Sequence, residues 1–144
     1  MLVDFYQLGD LTVEQVLPRI CERVLGEGGR MLVVAPPPLL KLLDERLWTY
    51  AAEAFLPHGP STGDRAAKQP VLLSPDFSAE NGATNVAIAD GEWRPEALGF
   101  ARTFYFFGAE RLDDARSAWR SLTGREGAER RYWRHEQGRW RQGP

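Results

Sequence analysis

At 144 residues, 43% of them hydrophobic and 26% charged, the chain is long enough to fold as one domain that buries about two-thirds of its extended surface. That composition excludes a disordered chain, and no run approaches the ~20 apolar residues of a membrane span. The formal net charge is only −2, which excludes a uniformly basic nucleic-acid binder.

Leu2 to Leu8 alternates as a first strand, with Val3, Phe5 and Tyr6 favouring extended backbone. Thr12-Val13-Glu14-Gln15 reads as a capping box. Val13, Val16, Leu17, Ile20, Cys21, Val24 and Leu25 then recur at helical spacing. Pro18 removes one backbone hydrogen bond inside this helix, and Gly26 with Gly28-Gly29 stops it. Met31 to Ala35 is a short, fully apolar strand of the buried parallel kind. Pro36-Pro37-Pro38 suits the start of a second helix, Leu39 to about Ala54.

Gly59 to Gln69 is polar and turn-rich, and is expected as a mobile loop with no apolar anchor. Val71–Ser74, Asn85–Ala89 and the aromatic-rich Arg102–Phe107 are the third, fourth and fifth strands, with a turn at Asp90-Gly91 and a short helix at Pro95–Leu98. Asp113–Leu122 is a third main helix, ended by Gly124. Arg130–His135 and Arg139–Gln142 form a terminal strand or hairpin about Gln137-Gly138. Strands alternating with helices predict a single α/β domain over residues 1–144, a three-layer Rossmann-like sandwich with a mostly parallel sheet.

Such a sheet raises the prospect of nucleotide binding, but the glycines argue against it. Gly26-Glu27-Gly28-Gly29 follows a helix and precedes a strand, the reverse of a dinucleotide fingerprint. Gly9-Asp10-Leu11-Thr12 does lead into a helix, yet has one glycine and an acid that repels phosphate. The fold is therefore expected to lack a phosphate-binding loop. The two histidines, His58 and His135, and the single Cys21 cannot assemble a metal-ligand set, so no metal or cofactor is expected. No serine sits in a Gly-x-Ser-x-Gly elbow and no Asp/Glu pair is placed next to a histidine, so no catalytic residue is assigned. The lone cysteine, on the apolar face of its helix, and the lack of a signal peptide in Met1 to Tyr6 suit a reduced, cytoplasmic protein.

Two regions point to protein recognition. Leu47-Trp48, Phe55-Leu56-Pro57-His58-Gly59 and then Pro70-Val71-Leu72-Leu73-Ser74 set two large aromatics and a rigid turn on an expected exposed corner before a buried strand. The second is the C-terminal end. Residues 1–110 hold 9 basic and 15 acidic groups (−6), whereas residues 111–144 hold nine arginines, no lysine and 5 acids (+4). Arginine's planar fork binds carboxylate and phosphate bidentately, so an acidic partner is expected there. Arg116, Trp119 and Arg120 can share one side of the third helix while Leu112, Ala115, Ala118 and Leu122 supply the buried side. An aromatic between guanidinium groups suits a peptide ending in an apolar side chain and a carboxylate. Trp119 as ordinary core beside snorkelling arginines is the plainer alternative. Tyr132-Trp133 and Trp140 among arginines also resemble a stacking surface for single-stranded nucleic acid, which stays open as the second function. A degenerate nucleotide-binding enzyme is a remote third.

In order and spacing, several segments resemble the chi subunit family of bacterial DNA polymerase III over essentially the whole chain. They are Phe5-Tyr6-Gln7-Leu8, Leu47-Trp48, Phe55-Leu56-Pro57-His58-Gly59, Pro70-Val71-Leu72-Leu73-Ser74, Ala115-Arg116-Ser117-Ala118-Trp119-Arg120 and Tyr132-Trp133 with Gly138-Arg139-Trp140. The resemblance implies an accessory subunit of the clamp-loader complex without enzymatic activity of its own. It implies that Arg116, Trp119 and Arg120, with Arg111 as a further basic partner, take the acidic C-terminal tail of single-stranded DNA-binding protein. It also implies that the corner of Trp48, Phe55, Leu56, Pro57 and His58 faces the psi subunit or an accessory DNA helicase. Trp119 stands where a tyrosine is familiar in the family, and Asp113-Asp114 where a more basic turn is expected.

Overall fold

The computed structural model describes residues 1–50 and 56–143. In chain order the main elements are β1 (Leu2–Gln7), α1 (Val13–Gly26), β2 (Met31–Val34), α2 (Pro37–Thr49), β3 (His58–Pro60), β4 (Val71–Ser74), β5 (Asn85–Ile88), β6 (Arg102–Phe107), α3 (Leu112–Ser121), β7 (Glu129–Glu136) and β8 (Arg139–Gln142). The eight strands make one sheet in the order β3-β4-β2-β5-β6-β1-β7-β8, parallel throughout except for β8, which runs antiparallel to β7.

Side-chain alternation along each strand divides the core into two layers. Tyr6, Val33, Phe104 and Phe106 face α1 and α2, packing with Val16, Leu17, Ile20, Cys21, Leu43 and Leu47. Val3, Phe5, Tyr105 and Phe107 face the other way, against Ala115 and Ala118 of α3 and Leu122 just after it. β2, β4 and most of β5 are buried on both faces, which is why they read as unbroken apolar runs. α1 begins where the capping residues predict, with the Thr12 amide donating to Gln15 Oε1 at 2.8 Å.

β7 crosses to the far side of β1 and pairs with it in parallel from Leu2↔Glu129 to Gln7↔Arg134. The two central residues of the β7–β8 turn, Gln137 and Gly138, have φ of 51° and 74°. Positive φ at both is the two-residue hairpin geometry that matches strand twist.

One charged residue lies inside this arrangement. Asp4, in the middle of β1, is fully buried. Its Oδ2 accepts from Arg102 Nε (3.1 Å) and Nη2 (3.0 Å) on β6, and its Oδ1 from Arg131 Nε (2.8 Å) and Trp133 Nε1 (3.0 Å) on β7. Burial alone would raise the carboxyl's pKa; the donors from Arg131, Trp133 and Arg102 outweigh it and hold the group below its ordinary value.

One expectation changes, and another falls partly outside the described residues. The second helix is described over Pro37–Thr49, and its expected continuation to Ala54 lies outside the described residues. The Gly59–Gln69 stretch is not an unanchored loop. His58–Pro60 adds an edge strand to β4, and Ala66, in a short 3-10 turn, is buried in the core. Asn81 Nδ2 donates to Gln69 O at 2.8 Å and Arg30 Nη1 to Ala67 O at 3.3 Å, tying the segment's carbonyls to neighbouring loops. A three-residue strand containing Gly and Pro has too little periodicity to be read from sequence.

Two predictions follow from this packing. Asp4→Asn leaves Arg102 and Arg131 without their buried counter-charge and is expected to cost about 2–3 kcal/mol at neutral pH, measured by urea unfolding. Because the folded Asp4 pKa is depressed, its contribution is complete above the unfolded value (about 4) and is lost as pH falls through the lower folded value. The wild-type advantage over the variant should therefore shrink in acid; an advantage that grows there contradicts the assignment. Cys21 is buried and its thiol is pushed up to about 12. A thiol reagent should label it only after denaturant unfolds the chain.

Candidate functional site

The face of the sheet that carries α3 has a hollow of about 360 Å³, lined by Leu112, Arg116, Trp119 and Arg120 of α3, Gln7 of β1, and Tyr132 and Arg134 of β7. The lining has three guanidinium groups and no acid. Arg116 and Arg120 are exposed, and neither has an ion-pair partner among the described residues. Ala115 and Ala118 pin the opposite side of α3 into the core, so the helix shows this face outward.

Trp119 is half-buried, so both sequence readings of it hold in part. Its ring meets Phe5 and Tyr132 edge-on, at centroid distances of 5.1 and 5.7 Å. The Arg130 guanidinium lies over the ring, 4.2 Å from its centroid. Arg130 also donates to the Trp119 carbonyl and to Thr123 Oγ1, capping the end of α3. That arginine is therefore engaged in structure, whereas Arg116 and Arg120 flank the aromatic wall from the solvent side.

The floor of the hollow comes from strands. Tyr132 donates its hydroxyl to Gln7 Oε1, and burial raises its pKa so that the phenol keeps its proton. Arg134 reaches the hollow from the next outward position of β7. The Glu136 carboxylate lies 3.4 Å from Arg134 Nε but out of hydrogen-bond alignment, so that buried N–H has no acceptor among the described residues. Gln7, Tyr132 and Arg134 were not assigned to this site from sequence. The alternation Arg130-Tyr132-Arg134 against Arg131-Trp133-His135 marks two strand faces, but only the pairing of β7 with β1 shows which of them meets α3.

Arg111 stands apart from this hollow. Its Nη1 pairs with Asp114 Oδ2 at 3.2 Å, and it lines a separate depression with Trp93 and Pro95. At the carboxyl ends of β1, β5 and β6, where α/β sheets take nucleotides, the depression contains Asp90 and Glu110 and neither lysine nor arginine. Asp90 is paired with Arg94 at 2.7 Å, so Glu110 is the acid there without an ion-pair partner among the described residues, and it would repel a phosphate.

The second sequence-predicted region is divided by the fold. Trp48 is 60% exposed and Leu42, one and a half turns earlier on α2, is 51% exposed. Leu56 and His58 are buried, Pro57 is half-buried, and Phe55 lies outside the described residues. His58 supports the corner from below. Its ring packs 4.8 Å from that of Trp48, its Nδ1 lies 2.7 Å from Leu56 O, and its Nε2 lies 3.0 Å from Asp44 Oδ1.

A family model described as DNA polymerase III chi subunit, HolC, matches residues 1–129. The chain belongs to that family. A probable DNA polymerase III subunit chi of Rickettsia prowazekii (strain Madrid E) is 33% identical over 48 residues, a stretch that covers 33% of this chain and 29% of the relative. The C-terminal domain of the DEAD-box protein Dbp5 superposes with a TM-score of 0.55 over 92% of this chain and 89% of that one, at 14% identity. That likeness shows a shared α/β fold. The segment matched in the Rickettsia relative spans less than a third of that protein's length, and the family is that of the chi subunit of DNA polymerase III. The family match ends at Glu129, so the α3 part of the hollow lies within it and Tyr132 and Arg134 lie beyond it. Among the described residues, no helix is long and apolar enough to cross a membrane.

Proposed function

We propose that this chi-family chain is a non-catalytic adaptor of the clamp-loader complex that captures the acidic C-terminal tail of single-stranded DNA-binding protein in the cytoplasm. The observation that carries the reading is the α3 hollow: three arginines and an aromatic wall, with no acid in its lining and two guanidiniums free of protein carboxylates. A tail ending in an acidic residue, an aromatic side chain and a free carboxylate matches that chemistry. Its terminal ring packs against Trp119 and Tyr132, its carboxylates pair with Arg116 and Arg120, and Arg134 supplies a third donor from the floor. Arg111 is neutralised by Asp114 and contributes little to such a contact.

One such site is weak by itself. It gains strength when several tails are displayed together, because each later engagement is intramolecular. The Trp48 and Leu42 corner is proposed as the second contact, toward the psi subunit or an accessory helicase. The exposed Trp48, packed on the buried His58 ring, supports that use, with Leu42 a second exposed apolar side chain on the same helix.

Fluorescence anisotropy of a labelled tail peptide tests the reading. Arg116→Ala and Arg120→Ala should each weaken binding by about tenfold, through loss of one charge-assisted contact, while circular dichroism stays unchanged. Raising salt should loosen the wild-type complex, because the charges lie near the surface. Peptide binding that ignores both arginines and salt overturns the assignment. Trp48→Ala should leave tail binding unchanged and abolish co-purification with psi where that subunit is co-expressed. Retained psi binding removes Trp48 from the second contact.

A further inference from the structure

The opposite face of the sheet carries a second basic, aromatic hollow, which the tail-capture reading does not use. It has a volume of about 350 Å³ and lies between α1 and the terminal hairpin. Arg19 and Arg23, one helical turn apart on α1, stand across from Tyr6, Trp133, His135 and Trp140. No carboxylate lines it, and neither arginine has an ion-pair partner among the described residues.

The two tryptophans differ in what they can offer. Trp133 is committed to the fold: its indole N–H donates to Asp4, its ring stacks on Tyr6 at 6.4 Å, and Arg131 lies over it at 5.8 Å. Trp140 meets Tyr6 and His135 edge-on, at 5.2 and 5.0 Å with interplanar angles of 88° and 70°. Among the described residues no ring lies parallel to it, and its own N–H has no protein acceptor. An indole without a parallel partner, facing two unpaired guanidiniums a helical turn apart, joins a stacking platform to an anion clamp.

We propose that this hollow is a direct contact for single-stranded DNA, taking a base beside Trp140 and the flanking phosphates on Arg19 and Arg23. The density of aromatic groups favours a nucleotide chain over an acidic peptide. Trp140 and His135 add ring surface over the buried Tyr6 and the half-buried Trp133, whereas a peptide carboxylate needs only the two arginines. The contact involves two charges, so it is weak alone and should act when other contacts already hold the chain near the strand. It lies across the sheet from the α3 hollow, so the two can be occupied together and lost separately.

The test is anisotropy of a fluorescein-labelled oligothymidylate of about 12 nucleotides, titrated with the full chain at low salt. An Arg19→Ala/Arg23→Ala double variant changes only exposed, unpaired side chains. It should weaken binding by about tenfold or more, while Arg116→Ala/Arg120→Ala leaves it unchanged. With two phosphates engaged, wild-type affinity should fall about sevenfold between about 50 and 200 mM salt. Trp140→Phe, which keeps an aromatic hairpin core, should reduce the tryptophan quenching produced by the oligonucleotide. Absence of binding, or binding unaffected by the Arg19/Arg23 change, overturns the proposal. Loss of acidic-peptide binding in that double variant, with no oligonucleotide binding by the wild type, assigns the hollow to a peptide and equally overturns it. Failure of the tail-peptide experiment has no bearing on this result, because its arginines belong to the other face.

Discussion

A single buried carboxylate organises the C-terminal half of this sheet. Asp4 sits at the centre of β1, and its two oxygens collect donors from the strand on either side, Arg102 from β6 and Arg131 and Trp133 from β7. A charge removed from water is costly unless it is paired and hydrogen-bonded, and here both conditions are met. The energetic worth of such a network is less informative than its direction. An unpartnered Asp4 would be worse than an alanine there, so any register of β7 that fails to deliver Arg131 is penalised. A one-residue slip of β7 would also exchange its two faces.

That register is what creates both hollows. With Arg131 held against Asp4, the neighbouring positions Tyr132 and Arg134 must emerge on the α3 side, and Trp133 and His135 on the α1 side. The hairpin turn then returns Trp140 opposite His135, on the same side as Trp133. One edge strand thereby furnishes aromatic and basic side chains to both surfaces of the sheet, and neither set can shift without disturbing the other. The parallel crossover through α3 sets the distance, since it carries the chain from β6 past β1 and leaves Arg116 and Arg120 beside the strand positions that complete their hollow.

Features set by local sequence were legible in advance; those set by pairing between distant strands were not. The capped start of α1 and the aromatic strand β6 at Arg102–Phe107 carry their signal within a few residues, and Gln137-Gly138 marks the turn of a segment that the sequence leaves as a strand or a hairpin. Arg116, Trp119 and Arg120 came from helical spacing for the same reason. Gln7, Tyr132 and Arg134 escaped because their role depends on a contact 125 or more residues away in the chain, as the Tyr132–Gln7 bond shows. Asp4 gave a signal that could have been used: a lone acid within Leu2–Leu8, a strand otherwise rich in apolar residues, calls for a buried partner. The edge strand at His58–Pro60 had no such mark, and its anchor, Ala66, is too small to stand out in a polar stretch.

The Rossmann-like architecture itself says little about what the molecule does, and the charge at its strand ends explains why. In nucleotide-binding members of this architecture the carboxyl ends of the strands present glycines and a helix N-terminus to phosphate. Here the same location has Gly9, Gly91, Gly108 and the start of α1, but it also holds Glu110 and Asp90, the latter fixed by Arg94 at 2.7 Å. The positive charge has moved to the β7 edge, where guanidinium groups stand beside aromatic rings rather than beside a glycine loop. A site of that kind holds an anion without cradling it. Where such a surface meets a partner, affinity comes from the number of weak contacts engaged at once.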